Sequence, residues 1–182
     1  MPVAKIVILN WNGAEHLRRF LPSVVAAAPA GVEVMVADNG STDDSLRVLA
    51  TEFPSVGVLR LEANYGFAGG YNRALKQVEA DCYLLLNSDI ETPEGWLAPI
   101  LDVLEREPDV AVVSPKLISW TDRTEFEYAG ASGGFIDFLG YPFCRGRILR
   151  QVEADEGRYD DARDVFWVSG AAFCCRADVF HA

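Results

Sequence analysis

Four times before residue 90 an apolar run stops abruptly at a short segment of Asn, Asp, Ser and Gly. Ile6-Val7-Ile8-Leu9 gives way to Asn10-Trp11-Asn12-Gly13, and Val32-Glu33-Val34-Met35-Val36-Ala37 to Asp38-Asn39-Gly40-Ser41. Val56-Gly57-Val58-Leu59-Arg60-Leu61 runs into Asn64-Tyr65-Gly66-Phe67-Ala68-Gly69-Gly70, and Cys82-Tyr83-Leu84-Leu85-Leu86 into Asn87-Ser88-Asp89. Such runs read as buried strands. The intervening segments change to a helical period. Leu17, Phe20, Leu21, Val24, Val25 and Ala28 share one face, then Leu46, Leu49, Ala50 and Phe53, then Tyr71, Ala74, Leu75 and Val78. A fourth helix carries Trp96, Leu97, Ile100, Leu101 and Leu104, with Pro93 suited to its first turn. Parallel strands need crossovers of about helix length, so the alternation predicts an α/β fold with a parallel sheet covered by helices. Ligands of open sheets bind beyond the carboxyl ends of the strands, where all four polar tips must converge.

A chain of 182 residues, half of them hydrophobic, reads as one domain with a real core. Its formal net charge of −11 excludes whole-molecule attraction to nucleic acid or anionic membranes, while leaving room for a local basic patch. No stretch approaches the roughly 20 apolar residues of a membrane span, and the start leads into a strand, so a cytosolic location is expected. Cys82, Cys144, Cys174 and Cys175 lack Cys-x-x-Cys spacing and read as buried reduced thiols, with Cys174 and Cys175 on opposite faces of a strand. Only His16 and His181 are present, which argues against imidazole metal sites and Ser/His/Asp triads. His16 is expected on the solvated side of the first helix and His181 in a frayed terminus. From Thr121 to Asp164 helical periodicity is lost, and Gln151 to Asp164, the most polar piece, is expected to be mobile. Order should return at Val165-Phe166-Trp167-Val168 and the strand-like Ala171 to Cys175.

Several tip residues carry chemistry. Asp38 ends the second strand, where its carboxylate can accept a ring N–H such as that of uracil or thymine. The structural alternative is a helix N-terminal turn, since Asn39, Ser41, Thr42 and Asp43 all suit capping, with Ser41 or Thr42 expected to take most of it. Asn64 to Gly70 reads as a Gly-rich loop entering the third helix. It lacks Gly-x-Gly-x-x-Gly spacing and follows the third strand, which disfavours a nicotinamide cofactor. Asp89, assisted by Glu91, suits Mg²⁺ or Mn²⁺ with a diphosphate as co-ligand, or else simply starts the turn before Pro93. Trp11 can stack on a base or wedge against the sheet edge, and packing is the stronger reading of the residue alone. Trp167 has the same ambiguity, and Ser169-Gly170-Ala171 after it reads as a tight turn.

Taken in order, these segments resemble the family 2 glycosyltransferases with the GT-A fold, particularly the rhamnosyltransferase-like branch, along essentially the whole chain. Val7 to Gly13 looks like the opening strand and aromatic-Asn turn, and Val36 to Asp43 like the nucleotide-binding Asp-x-Gly-Ser-Thr-Asp segment. Asn64 to Asn72 looks like the Asn-x-Gly-rich loop, Leu84 to Asp89 takes the place of Asp-x-Asp, and Trp167 to Ala171 resembles the acceptor-side turn. The resemblance implies a Rossmann-like three-layer α/β sandwich with a mostly parallel central sheet. It also implies transfer of a sugar from a nucleotide-diphosphate sugar to an acceptor hydroxyl, usually with inversion, in bacterial cell-surface polysaccharide or related glycan synthesis. The acceptor would be a glycan or lipid-linked glycan, met in the cytoplasm at the inner face of the membrane, with no nucleic-acid partner.

On the same resemblance the donor side would include Asn10, Trp11, Asp38, Asn64, Gly69, Gly70, Asn87 and Ser88. Asp89 would hold Mg²⁺ or Mn²⁺, and Trp167, Ser169, Gly170 and Ala171 would lie on the acceptor side. Residues 1–115 would form the donor half and 116–182 an incomplete acceptor-side half. Two departures stand out. Asn87 replaces the first carboxylate of Asp-x-Asp, and the acidic segment carrying the family's catalytic base is expected beyond Ala182, so the chain reads as a fragment. Asp160, Asp161 and Asp164 precede the turn and do not match that segment. Two other readings stay open: a noncatalytic nucleotide-sugar binding module, and a sugar nucleotidyltransferase. The latter needs a Gly-rich basic loop after the first strand, and Asn10 to Glu15 holds one Gly and no Lys or Arg.

Overall fold

The computed structural model describes residues 3–128 and 132–182. They form two compact units, one of Met1–Val113 with Cys174–Ala182 and the other Ser114–Phe173. No helix among the described residues is long and apolar enough to cross a membrane.

The first unit is built on β1 (Ala4–Asn10), β2 (Glu33–Asp38), β3 (Gly57–Arg60) and β4 (Cys82–Asn87). β2 and β4 flank β1, and β3 pairs with β2, all in parallel. Two further strands, β5 (Val112–Val113) and β10 (Ala172–Arg176), complete the order β3-β2-β1-β4-β10-β5, with β10 and β5 antiparallel. Ile6, Val7, Ile8 and Leu84 to Leu86 are at most 2% exposed, as expected of central strands covered on both faces.

The crossovers are α1 (Ala14–Ala27), α2 (Ser45–Glu52) and α3 (Gly66–Leu75), and α4 (Ala98–Arg106) follows β4. On α1 the buried stripe is Leu17, Phe20, Leu21 and Val24, while Val25, expected within it, is exposed. α2 starts at Ser45, so Ser45, Val48 and Leu49 face inward and Ala50 turns to solvent, contrary to the sequence reading. The expected Gly-rich loop is already helical from Gly66, and Tyr71, Ala74 and Leu75 are buried on α3. Pro99 instead of Pro93 occupies the first turn of α4. Arg176 clasps the end of α4, its guanidinium donating to the carbonyls of Leu104, Glu107 and Val110.

A last short helix, α5 (Ala177–His181), holds the histidine expected to fray: His181 Nε2 lies 2.9 Å from Tyr83 Oη. All four cysteines are free and buried. Burial pushes the Cys174 thiol up and that of Cys175 to about 11, so both behave as inert hydrophobes.

The second unit carries an antiparallel meander of β6 (Gly134–Ile136), β7 (Pro142–Cys144), β8 (Arg147–Ile148) and β9 (Gln151–Val152). Trp167 bridges to Gly134 and its indole N–H donates to Phe135 O at 3.1 Å. The polar stretch expected to be mobile has partners: Lys116 pairs with Asp155 at 2.6 Å and Asp160 at 2.5 Å, and Arg145 pairs with Asp161.

Candidate functional site

The sheet order places the topological switch between β1 and β4, and the tips of β1 to β4 open there onto a cleft of about 380 Å³. The tips of β1, β2 and β3 are stitched to one another by side chains. β1 and β2 end in register at Asn10 and Asp38. Asn10 Nδ2 donates to Asp38 Oδ1 at 3.3 Å and Ser41 Oγ at 3.2 Å, and Asp38 Oδ2 accepts Ser41 N at 3.1 Å. Asn10 and Asp38 are 0% and 2% exposed, so they form the floor beneath the cleft and their polar atoms face each other.

Asn12 adopts a left-handed φ of 52°, which asparagine tolerates, and its Oδ1 accepts Thr42 N at 2.7 Å. The expected capping by Ser41 or Thr42 does not occur, because α2 begins too far downstream. Asp43 takes both helix starts instead, accepting Ala14 N of α1 at 3.0 Å and Ser45 N of α2 at 2.9 Å. Burial raises the Asp43 carboxyl, but the hydrogen bonds from Ser45 and the Ala14 amide outweigh it and hold the group below its ordinary value.

Asn39 joins the second tip to the third. Its Oδ1 accepts Tyr65 N at 3.0 Å, and its Nδ2 donates to Asn64 Oδ1 at 3.0 Å and Gly66 O at 3.1 Å. Gly40 makes the approach possible: its φ is +76°, and a Cβ there would lie 2.7 Å from the backbone carbon of Ala63. Gly70 does the same for α3, since a Cβ would sit 2.9 Å from both Leu9 methyls and 3.0 Å from Asn39 Nδ2. Beside it Tyr71 Oη donates to Leu86 O at 3.0 Å, and burial pushes its phenol up.

Of the residues expected on the donor side, Trp11, Asn64, Asn87 and Ser88 line the cleft, and so does Asp89, expected to hold the metal. Trp11 is 55% exposed, which corrects the packing reading of that residue. Asn10, Asp38, Gly69 and Gly70 do not line the cleft, and its lining glycines are Gly13 and Gly66. Glu91 is exposed outside the lining. Asn12, His16, Asn39 and Phe67 also line it and went unassigned; the first two follow β1 and the others follow β2 and β3, a position that could have identified them. His16 is solvent-exposed, as expected. Ser169 and Ala171 make a turn in the second unit, with Ser169 Oγ accepting Ala171 N at 3.2 Å.

No lysine or arginine lines the cleft, and no group of three or more His, Cys, Asp or Glu suited to a metal occurs among the described residues. The oxygen donors at the end of β4 are the Asp89 carboxylate, the Asn87 amide and the Ser88 hydroxyl. This hard set fits a small divalent cation that completes its shell with phosphate oxygens and water.

Residues 5–155 match the family model described as Glycosyl transferase family 2. The chain belongs to that family. This family 2 chain is 28% identical to N-acetylglucosaminyl-diphospho-decaprenol L-rhamnosyltransferase of Mycobacterium tuberculosis, over 98% of its own length and 62% of the relative's. It is 33% identical to undecaprenyl-phosphate 4-deoxy-4-formamido-L-arabinose transferase of Sodalis glossinidius, over 58% of its length and 34% of that protein's. The crystal structure of S. aureus TarS 1-349 superposes with a TM-score of 0.57 at 25% identity, covering 66% of this chain and 37% of TarS. A Pyrobaculum calidifontis mannosyltransferase in complex with GDP-Man and Mn²⁺ gives a TM-score of 0.56 at 22% identity, with the same coverages. The fold of this family 2 glycosyltransferase chain is therefore GT-A, and the chain spans about three fifths of the rhamnosyltransferase it matches.

Proposed function

We propose that the cleft binds a nucleotide-diphosphate sugar and that the chain supplies the donor side of glycosyl transfer to a hydroxyl of a lipid-linked glycan. The observation that carries this reading is the convergence of four strand tips on one cleft with an aromatic rim and an oxygen-donor set at one end. Trp11 and Phe67, both about half exposed, offer faces on which a base can stack. Asn64 gives the rim an amide held in place by Asn39, while Asn10 and Asp38 support the floor.

The diphosphate brings negative charge to a cleft without lysine or arginine, in a chain of net charge −11. Asp89, with Asn87 and Ser88, would hold the Mg²⁺ or Mn²⁺ that neutralises that charge and stabilises the departing diphosphate. In an inverting transfer the anomeric C–O bond to the diphosphate breaks as the acceptor oxygen bonds to the opposite face, and a base removes the acceptor proton. No described residue is assigned as that base. The lipid-linked acceptor and a deoxysugar donor follow the printed activities of the two relatives, and an inner-membrane-face location would follow from such an acceptor. Trp167, Ser169, Gly170 and Ala171 are proposed for the acceptor side on the family resemblance.

The test is a thermal-shift titration of wild type and Asp89→Ala with UDP, dTDP, GDP, CDP and NAD, each with and without Mn²⁺. A ligand at about 100 times its dissociation constant adds roughly 2.7 kcal/mol, or about 5–10 °C for a domain of this size. One nucleoside diphosphate should give a Mn²⁺-dependent shift that Asp89→Ala removes. A shift with NAD alone, or none with any diphosphate, would refute the donor site.

A further inference from the structure

Residues 138–152, Phe-Leu-Gly-Tyr-Pro-Phe-Cys-Arg-Gly-Arg-Ile-Leu-Arg-Gln-Val, contain three arginines and no Asp or Glu, in a chain whose net charge is −11. The meander arranges them by end. Successive hairpins of an up-and-down sheet turn at alternate ends, so the β6–β7 loop (137–141) and the β8–β9 turn (149–150) lie at one end and the β7–β8 turn at the other.

The two ends differ sharply. At the β7–β8 turn Gly146 packs against the Phe126 ring, and Arg145 is paired with Asp161 and lies over the Tyr159 ring. At the other end Phe138 is 95% exposed, Leu139 66%, Tyr141 67% and Leu149 84%. Phe138, Leu139 and Tyr141 are presented by a braced loop, since Asp137 Oδ1 accepts both Leu139 N at 2.8 Å and Tyr141 N at 2.9 Å. Leu149 holds a φ of +53° at the first position of its two-residue turn, where glycine is the favoured residue. A leucine kept there, strained and solvent-facing, gains nothing for the fold and points to a use for its side chain. Arg150 is exposed beside it, and Arg147, stacked on Tyr128 at 4.4 Å, joins both in lining an open hollow of about 700 Å³.

We propose that this end of the meander docks on an anionic lipid bilayer, its apolar tips entering the interface and its arginines meeting headgroup phosphates. Braced aromatic and aliphatic tips flanked by arginine match the chemistry of such a surface, and the loop's own carboxylate, Asp137, is engaged by the Leu139 and Tyr141 amides. The inference rests on the lipid-linked acceptor proposed above.

The experiment is co-flotation of the 182-residue chain with vesicles of phosphatidylcholine, alone or mixed with phosphatidylglycerol, free of nucleotide and polyprenyl lipid. Wild type should float with the mixed vesicles and lose binding as salt rises. Arg150→Gln should lower the partition coefficient about fivefold, and Phe138→Ser about tenfold or more. Leu149→Gly should lower binding while leaving the thermal midpoint unchanged or higher, a combination that a structural role for Leu149 would not produce. The proposal falls if folded wild type fails to float, if the variants float equally, or if the same substitutions instead abolish a concentration-dependent dimer. Because the lipid-free nucleotide titration reads the donor site separately, failure of docking and failure of the donor reading are distinguishable.

Discussion

Gly40→Ala isolates the contact that brings the second and third tips together. Two costs are visible in the structure. The φ of +76° forces an alanine into the left-handed region, and its Cβ would lie 2.7, 2.8 and 2.9 Å from Ala63 C, Ala63 Cα and Asn64 N. All three are backbone atoms, so relief requires β2 and β3 to part at their ends, which strains the Leu61 N to Asp38 O bond of 2.8 Å and the Asn39 bridge to Asn64. The left-handed penalty is about 1 kcal/mol and the overpacking about 2 kcal/mol, a sum of about 3 kcal/mol. For a domain of this size that lowers the unfolding midpoint by about 6–12 °C. Gly31→Ala is the control, because Gly31 has a φ of +88° and nothing within 4 Å of its would-be Cβ. It carries the conformational penalty alone and should lose about 2–4 °C. The smaller unfolded-chain entropy of alanine is common to both and cancels in the comparison. Thermal unfolding followed by circular dichroism reads the difference, and equal midpoints for the two variants would refute the steric argument.

Tyr71→Phe removes the hydroxyl that donates to Leu86 O and should cost about 1 kcal/mol, a fall of about 2–4 °C in the same assay. Trp11→Ala should leave the midpoint nearly unchanged, because the ring is 55% exposed, while isothermal titration shows nucleotide affinity falling about fivefold or more. The Asp43 carboxyl is held below its ordinary value of 3.8 in the folded chain, so its stabilising contribution is complete above that pH and is lost as pH falls through the folded value. The midpoint gap between wild type and Asp43→Asn should accordingly be constant near neutrality and narrow below pH 3.8.

The fold was legible because burial imposes a period. β1 and β4 are covered on both faces and read as unbroken apolar runs, and the helices show the 3.6 repeat. Boundaries shifted where two periods compete. Gly66 to Gly70 reads as loop by propensity, yet α3 starts there because only glycine lets it approach Leu9 and Asn39. Ser41 and Thr42 have capping chemistry, but local sequence does not say that Asp43 bonds two helix starts separated by a strand. The cleft's location followed from strand order. Its lining did not, because whether Asp38 faces a ligand or Asn10 depends on the register of β1 against β2, which is a long-range fact.

That register also sets the electrostatics of the cleft. The Asp38 carboxylate is turned into the floor, where Asn10 and Ser41 satisfy it, which leaves Asp89 as the carboxylate of the lining, at its far end. Asn39, Asn64 and Asn12 spend much of their hydrogen-bonding capacity on neighbouring tips, so the walls are polar, rigid and neutral. Such a cleft can recognise a base by shape and amide contacts, but it has no fixed positive side chain with which to draw in a diphosphate. A cation at Asp89, as proposed, would convert the one repulsive element into the attractive one. Phosphate affinity would then depend on the metal while base affinity would not, so removal of the cation should weaken the diphosphate far more than the bare nucleoside.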